Sequence, residues 1–320
     1  MSDRGPHSSP GAIQPIGFLV ALSRDWTIAC VSANIAQFVG KQPDTLIGHS
    51  VNDLFCPDAV HSLRNRLALL RNRDSMERMF RCALLGNARL FDIALHMSGG
   101  HVIVEGEPST EHHYGDATGT VRGMIGRADQ TRTMATFLNE GTRQVRALTG
   151  FERVMIARFA PDGSSEVVAE SAKSGIASFL GLLRPPGDIS AETREVYKRC
   201  LLRVVTDIEA PPVQIVPAGR QSRDAADLSL SVLRAASPTL IESLRSMGGR
   251  ASMTIALIVG GELWGLIVCH HQAPRCPSFE RRSVAELFAQ MFAMRLETRE
   301  LRQTLEEERR ARKAEQQQQR

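Results

Sequence analysis

At 320 residues the chain is long enough to build two domains with full cores. Its 42% hydrophobic and 23% charged residues are those of a globular protein, not of an extended low-complexity chain. The formal charge of +4 is small and the arginines alternate with acids, which argues against a nucleic-acid partner.

Residues 1–12 form a polar, proline-bearing arm without the apolar segment of a secretory signal. Between Ile13 and Ile125 strand and helix patterns alternate. Gly17–Leu22 and Thr27–Ser32 read as strands, Ala33–Val39 and Asp58–Arg71 as helices. Leu90–His96 and His101–Glu105 flank Ser98-Gly99-Gly100, a hairpin signal. Glu111–Thr120 is polar and reads as a loop; its His112-His113 pair has no partner cluster, so no metal site is expected.

Gln130–Leu148 then reads as a helix, and Arg153–Phe159 and Glu166–Glu170 as strands around Pro161-Asp162-Gly163. Ala191–Cys200 and Leu240–Met247 have helical spacing. Asp207–Asp227, with Pro211, Pro212, Pro217 and Gly219, reads as one irregular loop of a length that is functional or disordered. Ser252–His270 forms two strands about Gly260-Gly261. A three-residue loop that includes Glu262 pairs Val259 with Leu263 and sets Ser252 and His270 on one face; a two-residue loop sets them on opposite faces. The longer loop is the one expected.

Ile255–Val268 is the most apolar stretch, but glycines and Glu262 interrupt it, well short of the roughly 20 residues a bilayer requires. From about Ser278 the chain reads as one helix. Leu287, Met291, Met294, Leu301 and Leu305 follow a heptad seam with Thr298 as its polar step. Beyond Leu305 the helix is polar all round, the pattern of a connector to a further domain.

The six cysteines (Cys30, Cys56, Cys82, Cys200, Cys269, Cys276) are scattered without a paired spacing, which indicates reduced thiols and a cytoplasmic protein. Cys269 beside His270 is the best candidate for a redox-active thiol. No nucleophile elbow, phosphate loop, zinc-protease or dinucleotide motif occurs, so this chain is not expected to be an enzyme.

Five stretches resemble the PAS–GAF half of bacteriophytochromes, in the family's order and across nearly the whole chain. They are Gly11–Pro15, Gly150–Met155, Glu166–Glu170, Ser237–Gly248 and Gly260–His271. The resemblance implies an α+β fold, each domain an antiparallel sheet with flanking helices: a PAS domain over 13–125 and a GAF domain over 126–300. Residues 301–320 would begin a connecting helix to a PHY and output region. It also implies a figure-of-eight knot, with the arm near Ile13 passing through a lasso at about 206–230.

The family holds biliverdin, a linear tetrapyrrole with two propionates, through a thioether to an N-terminal cysteine. The matching position here is Ser2, whose hydroxyl is not ionised near neutral pH and lacks thiol nucleophilicity, so no covalent cofactor is expected. The family's pocket histidine is Leu240, its strand tyrosine Ala157, and two further aromatic positions Arg184 and Ser243. Arg203 and Arg234 match the propionate clamps, and Ser252 and Thr254 the nearby hydroxyls. Asp188, Tyr197 and His270 also match pocket positions, although Asp188 reads equally as the cap of the helix near Ala191.

The resemblance therefore implies the sensory input module of a bacteriophytochrome-type histidine kinase, with a degenerate pocket and no dependence on light. Its implied partners are a second copy in a parallel dimer through the GAF and C-terminal helices, the PHY and kinase regions of the parent chain, and a response regulator. Neither nucleic acid nor membrane is among them. The alternatives are non-covalent binding of biliverdin or another anionic tetrapyrrole, and thiol-based redox sensing at Cys269.

Overall fold

The computed structural model describes residues 11–70, 75–110, 115–217 and 227–318. Ser2 and the His112-His113 pair lie outside the described residues. The elements in chain order are β1 (Ala12–Ile13), β2 (Phe18–Leu22), β3 (Ile28–Ser32), α1 (Ile35–Val39), α2 (Pro57–Leu67), β4 (Met76–Cys82), β5 (Phe91–Ser98) and β6 (His101–Pro108). Next come α3 (Ala117–Asp129), α4 (Met134–Thr149), β7 (Arg153–Phe159), β8 (Ser165–Ala172), β9 (Leu183–Arg184), α5 (Ala191–Arg199), β10 (Leu202–Val205) and β11 (Val213–Pro217). The chain finishes with α6 (Pro238–Ser246), β12 (Ala251–Val259), β13 (Glu262–His271) and α7 (Phe279–Gln318). One sheet has the order β1-β11-β3-β2-β6-β5-β4, the other β10-β12-β13-β7-β8-β9. No helix among the described residues is long and apolar enough to cross a membrane.

Two compact units result. One gathers the residues before 115 with Leu202–Met253 and His270–Glu280; the other gathers Gly115–Leu201, Thr254–Cys269 and Arg281–Arg320. In the first unit β2 is buried on both faces, which is why its sequence is an unbroken apolar run. Phe18, Val20 and Leu22 join a cluster with Phe55 and Phe91, where the rings of Phe18 and Phe91 meet edge to face at 5.5 Å. Leu19 and Ala21 join the opposite cluster, which Leu228, Val232 and Leu233 complete. The limb that follows the long loop is thus part of this core.

The long loop is not structureless, contrary to expectation. It contains β11, which pairs with β3 through Ile215 and Ser32, Val216 and Val31, and Pro217 and Cys30. Flanking prolines hide this strand from a pattern reading, but Pro217 ends it and so interrupts no central ladder. β1 pairs with β11 on one side, Ile13 with Val213, and bridges Arg234 on the other. The N-terminal segment therefore pairs with residues on both sides of the loop.

In the second unit, Thr133 and Thr136 form a reciprocal cap for α4, and Gly150 closes it at a φ of 68°. Phe137, Leu138, Gly141, Val145 and Leu148 of α4 are buried, spaced as one helical face. The Phe292 ring of α7 stacks on Phe137 at 4.2 Å, directly over Gly141. A Cβ on Gly141 would sit 2.6 Å from Phe292 Cζ, so this position demands glycine. The stretch read as the loop Glu111–Thr120 is also corrected in part. Asp116 accepts a hydrogen bond from Gly119 N (2.7 Å) and starts α3, whose burial of Val121, Met124, Ile125 and Ala128 overrides the poor helix propensity of its three glycines.

The β12–β13 loop is a second correction. It has two residues, not three: β12 ends at Val259, β13 begins at Glu262, and Gly260 and Gly261 have φ of 58° and 82°. Positive φ at both positions is the two-residue turn that matches strand twist, and only glycine adopts it freely. Loop length alone would set Ser252 and His270 apart. The far end of the hairpin keeps that register, with Arg250 N donating to His271 O at 2.8 Å.

Candidate functional site

In the first unit, the Gln14 side chain bonds to the main chain at Val204, next to Arg203, and at Arg234. This side chain is 6% exposed. Its Nε2 donates to the carbonyls of Val204 (2.8 Å) and Arg234 (3.3 Å), while Oε1 accepts from Thr206 N (2.8 Å) and Thr206 Oγ1 (3.1 Å). One carboxamide thus holds the backbone beside Arg203 and the backbone of Arg234 itself. Gln14 N also donates to Leu233 O at 2.7 Å. Both predicted clamp arginines are half-buried and stand beside this bracket, which fixes their main chain.

Ser252 on β12 and His270 near the end of β13 are buried, at 4% and 6% exposure. Leu240 on α6 packs in a hydrocarbon cluster with Val205, Ile208 and Leu244. Its surroundings are apolar side chains, which suit leucine. Ser243, on the same helix, is half-buried.

The second unit holds the other candidates. Tyr197 on α5 is buried against Ala256, Leu263 and Leu266. Thr254, Ala157 and Arg184 are half-buried, and Asp188 is exposed. Asp188 does not cap α5; Ser190 does, accepting from Thr193 N at 3.1 Å. Ala157 leaves β7 without an aromatic side chain at that point.

Cys269 is fully buried, and burial pushes its thiol far above the ordinary range. A thiol without thiolate character in a closed site is a poor nucleophile, so the redox reading has no support from this residue. Cys30 and Cys82 are likewise pushed up, each to about 11, by burial first.

A buried polar centre has no counterpart among the residues singled out from sequence. Glu105 on β6 is 1% exposed and accepts hydrogen bonds from Ser231 Oγ, Val232 N (3.0 Å) and Leu233 N (2.9 Å). His96 on β5 is fully buried, with Nδ1 3.9 Å from Glu105 Oε2. Burial raises the Glu105 carboxyl to about 7, against the lowering effect of its three donors, and lowers the His96 imidazole to about 4. This carboxyl ties the returning limb of the loop to the first sheet.

A family model described as the PAS fold matches residues 3–109, and one described as the GAF domain matches residues 133–299. Cyanobacterial phytochrome B of Nostoc sp. is 33% identical over 302 residues, covering 92% of this chain and 40% of that protein. The bacteriophytochrome of Pseudomonas aeruginosa is 33% identical over 294 residues, covering 89% and 39%. The chain thus spans about 40% of the length of these relatives. The wild-type chromophore-binding domain of a Stigmatella aurantiaca phytochrome superposes with a TM-score of 0.81 at 31% identity, covering 91% of this chain and 98% of that one. That of an unusual bacteriophytochrome from R. palustris does so at 0.82 and 34%, covering 94% and 99%.

Proposed function

The chain belongs to the bacteriophytochrome family, as its PAS–GAF region, and from that premise we propose that it is a light-independent sensory input module. It would feed a sensor histidine kinase and its response regulator through PHY and kinase regions of the parent chain. The carrying observation is a joint loss. Ser2 replaces the attaching thiol, and Ala157, Arg184, Leu240 and Ser243 replace the ring-bearing lining, with Leu240 packed in hydrocarbon. An alcohol at Ser2 cannot form the thioether at neutral pH.

A second reading has its own support. Arg203 and Arg234 remain, with their main chain braced by Gln14, and guanidinium groups suit propionates. Under that reading the module holds biliverdin or another anionic tetrapyrrole without a bond, with Asp188, Tyr197, Ser252, Thr254 and His270 as the remaining polar candidates. An absorption spectrum with added biliverdin separates the two. The light-independent module gives no photoconvertible far-red band; a band that converts under red light contradicts it. A saturable but non-converting band identifies the non-covalent binder.

The proposed assembly is a parallel dimer through α7. This helix buries Phe288, Phe292 and Leu296 on one side and exposes Leu287 (42%), Met291 (40%), Met294 (67%), Leu301 (59%) and Leu305 (52%) on another. That apolar stripe follows the four-and-three spacing of a two-stranded seam. Met294→Glu should therefore weaken self-association about a hundredfold, because two carboxylates would face each other in the seam. Sedimentation equilibrium checks this; an unchanged dimer, or a monomeric parent protein, excludes α7 as the interface.

A further inference from the structure

We propose that the first unit carries a binding site for a small ring-bearing carboxylate, in a cleft between α1 and the β4–β5 edge. The cleft has a volume of about 500 Å³, in the range of small-ligand sites. Phe38, Phe91, Leu90 and Pro108 give it an apolar wall, Arg81 and Arg89 give it charge, and no carboxylate lines it among the described residues.

Both arginines are positioned. β4 pairs Met79 with Ile93 and then Cys82 with Phe91, so a bulge leaves Phe80 and Arg81 opposite Asp92 alone. Arg81 takes a φ of 54°, a conformation that a long side chain enters only at a cost. Asp92, 4% exposed, holds it there by accepting from Arg81 N (2.9 Å) and from the Ser109 hydroxyl. The Arg81 guanidinium is steadied by the Thr110 carbonyl (3.4 Å), and that of Arg89 by the Phe38 carbonyl (3.1 Å). Each guanidinium has five N–H donors, so each keeps most of its fork for an anion. The Phe38 and Phe91 rings are themselves braced against Phe18, at 5.6 and 5.5 Å. A carboxylate on the guanidinium forks with its ring on the phenylalanine wall uses every one of these features. A purely structural bulge requires neither arginine.

Phenylacetate, with phenylethanol as its neutral counterpart, is the probe. Titration of the whole chain followed by amide NMR should show saturable binding of phenylacetate at a Kd of about 1 mM or better, centred on Phe38, Arg89 and Ser109. Phenylethanol should bind at least about tenfold more weakly, as should phenylacetate to Arg89→Gln or Arg81→Asn. Asparagine tolerates positive φ, so the second variant removes charge without adding strain, and unchanged thermal melting of either variant verifies its fold. No saturation by about 10 mM, equal binding of acid and alcohol, or variants that bind like the parent would each overturn the assignment.

Discussion

Replacing Glu105 by alanine should cost about 3 kcal/mol of stability, seen as a fall in the urea midpoint. The carboxyl is buried, and its removal leaves Ser231 Oγ, Val232 N and Leu233 N facing a void without an acceptor. The effect also depends on pH, with a sign fixed by the direction of each shift. The Glu105 carboxyl is raised to about 7 in the folded protein, from 4.5. Its stabilising contribution is complete below 4.5 and is lost as pH rises through about 7. The His96 imidazole is lowered to about 4 from 6.5, so its contribution is complete above 6.5 and is lost as pH falls through about 4. Between these limits the two slopes oppose. Glu107 and Asp227 add the remaining charge, the first raising Glu105 and the second raising His96. Glu105→Gln removes the first slope, so the stability gap between variant and parent should narrow from pH 6 to pH 8. A constant gap across that range would mean that Glu105 does not titrate there.

Gln14→Ala should cost a further 2 to 3 kcal/mol or so, by a separate route. Its carboxamide is the shared partner of Val204 O, Arg234 O and Thr206 N, all near the crossing of the N-terminal segment and the long loop. Without it, buried amide and carbonyl groups lose their partners. Gln14→Glu is the sharper test. It keeps an acceptor for Thr206 N but sets a carboxylate oxygen against the Val204 carbonyl, so it should be no better than alanine. Hydrogen exchange at Thr206 should speed at least about tenfold in the alanine variant. Unchanged protection would show that Gln14 does not hold the crossing.

How much of this was legible in sequence differs from element to element. The β5–β6 hairpin was plain, because Gly99-Gly100 interrupts two strand patterns. The α7 seam was plain as well, because its exposed residues keep a regular spacing over several turns. β11 was not, because its prolines carry a loop signature and its partners, β1 and β3, lie about 200 residues earlier. α3 was masked by Gly119, Gly123 and Gly126, and it is buried packing rather than propensity that forms it. Turn length at Gly260-Gly261 was misjudged since a glycine pair is compatible with either loop. Glu105 and His96 were invisible for another reason: β5 and β6 are buried on both faces, so no alternation distinguishes an inward acid from an outward one. Pocket positions were reached only through the family resemblance; nothing in their spacing marks Arg203 or Arg234 as a pair.

The central claim, a phytochrome-type module without a bonded pigment, is tested most directly on a denaturing gel. The full chain is incubated with biliverdin, unfolded, and stained with zinc to reveal any attached tetrapyrrole by fluorescence. The band of the unsubstituted chain should be dark and remain colourless under illumination. A fluorescent band at the protein's mass would establish a covalent adduct and contradict the account.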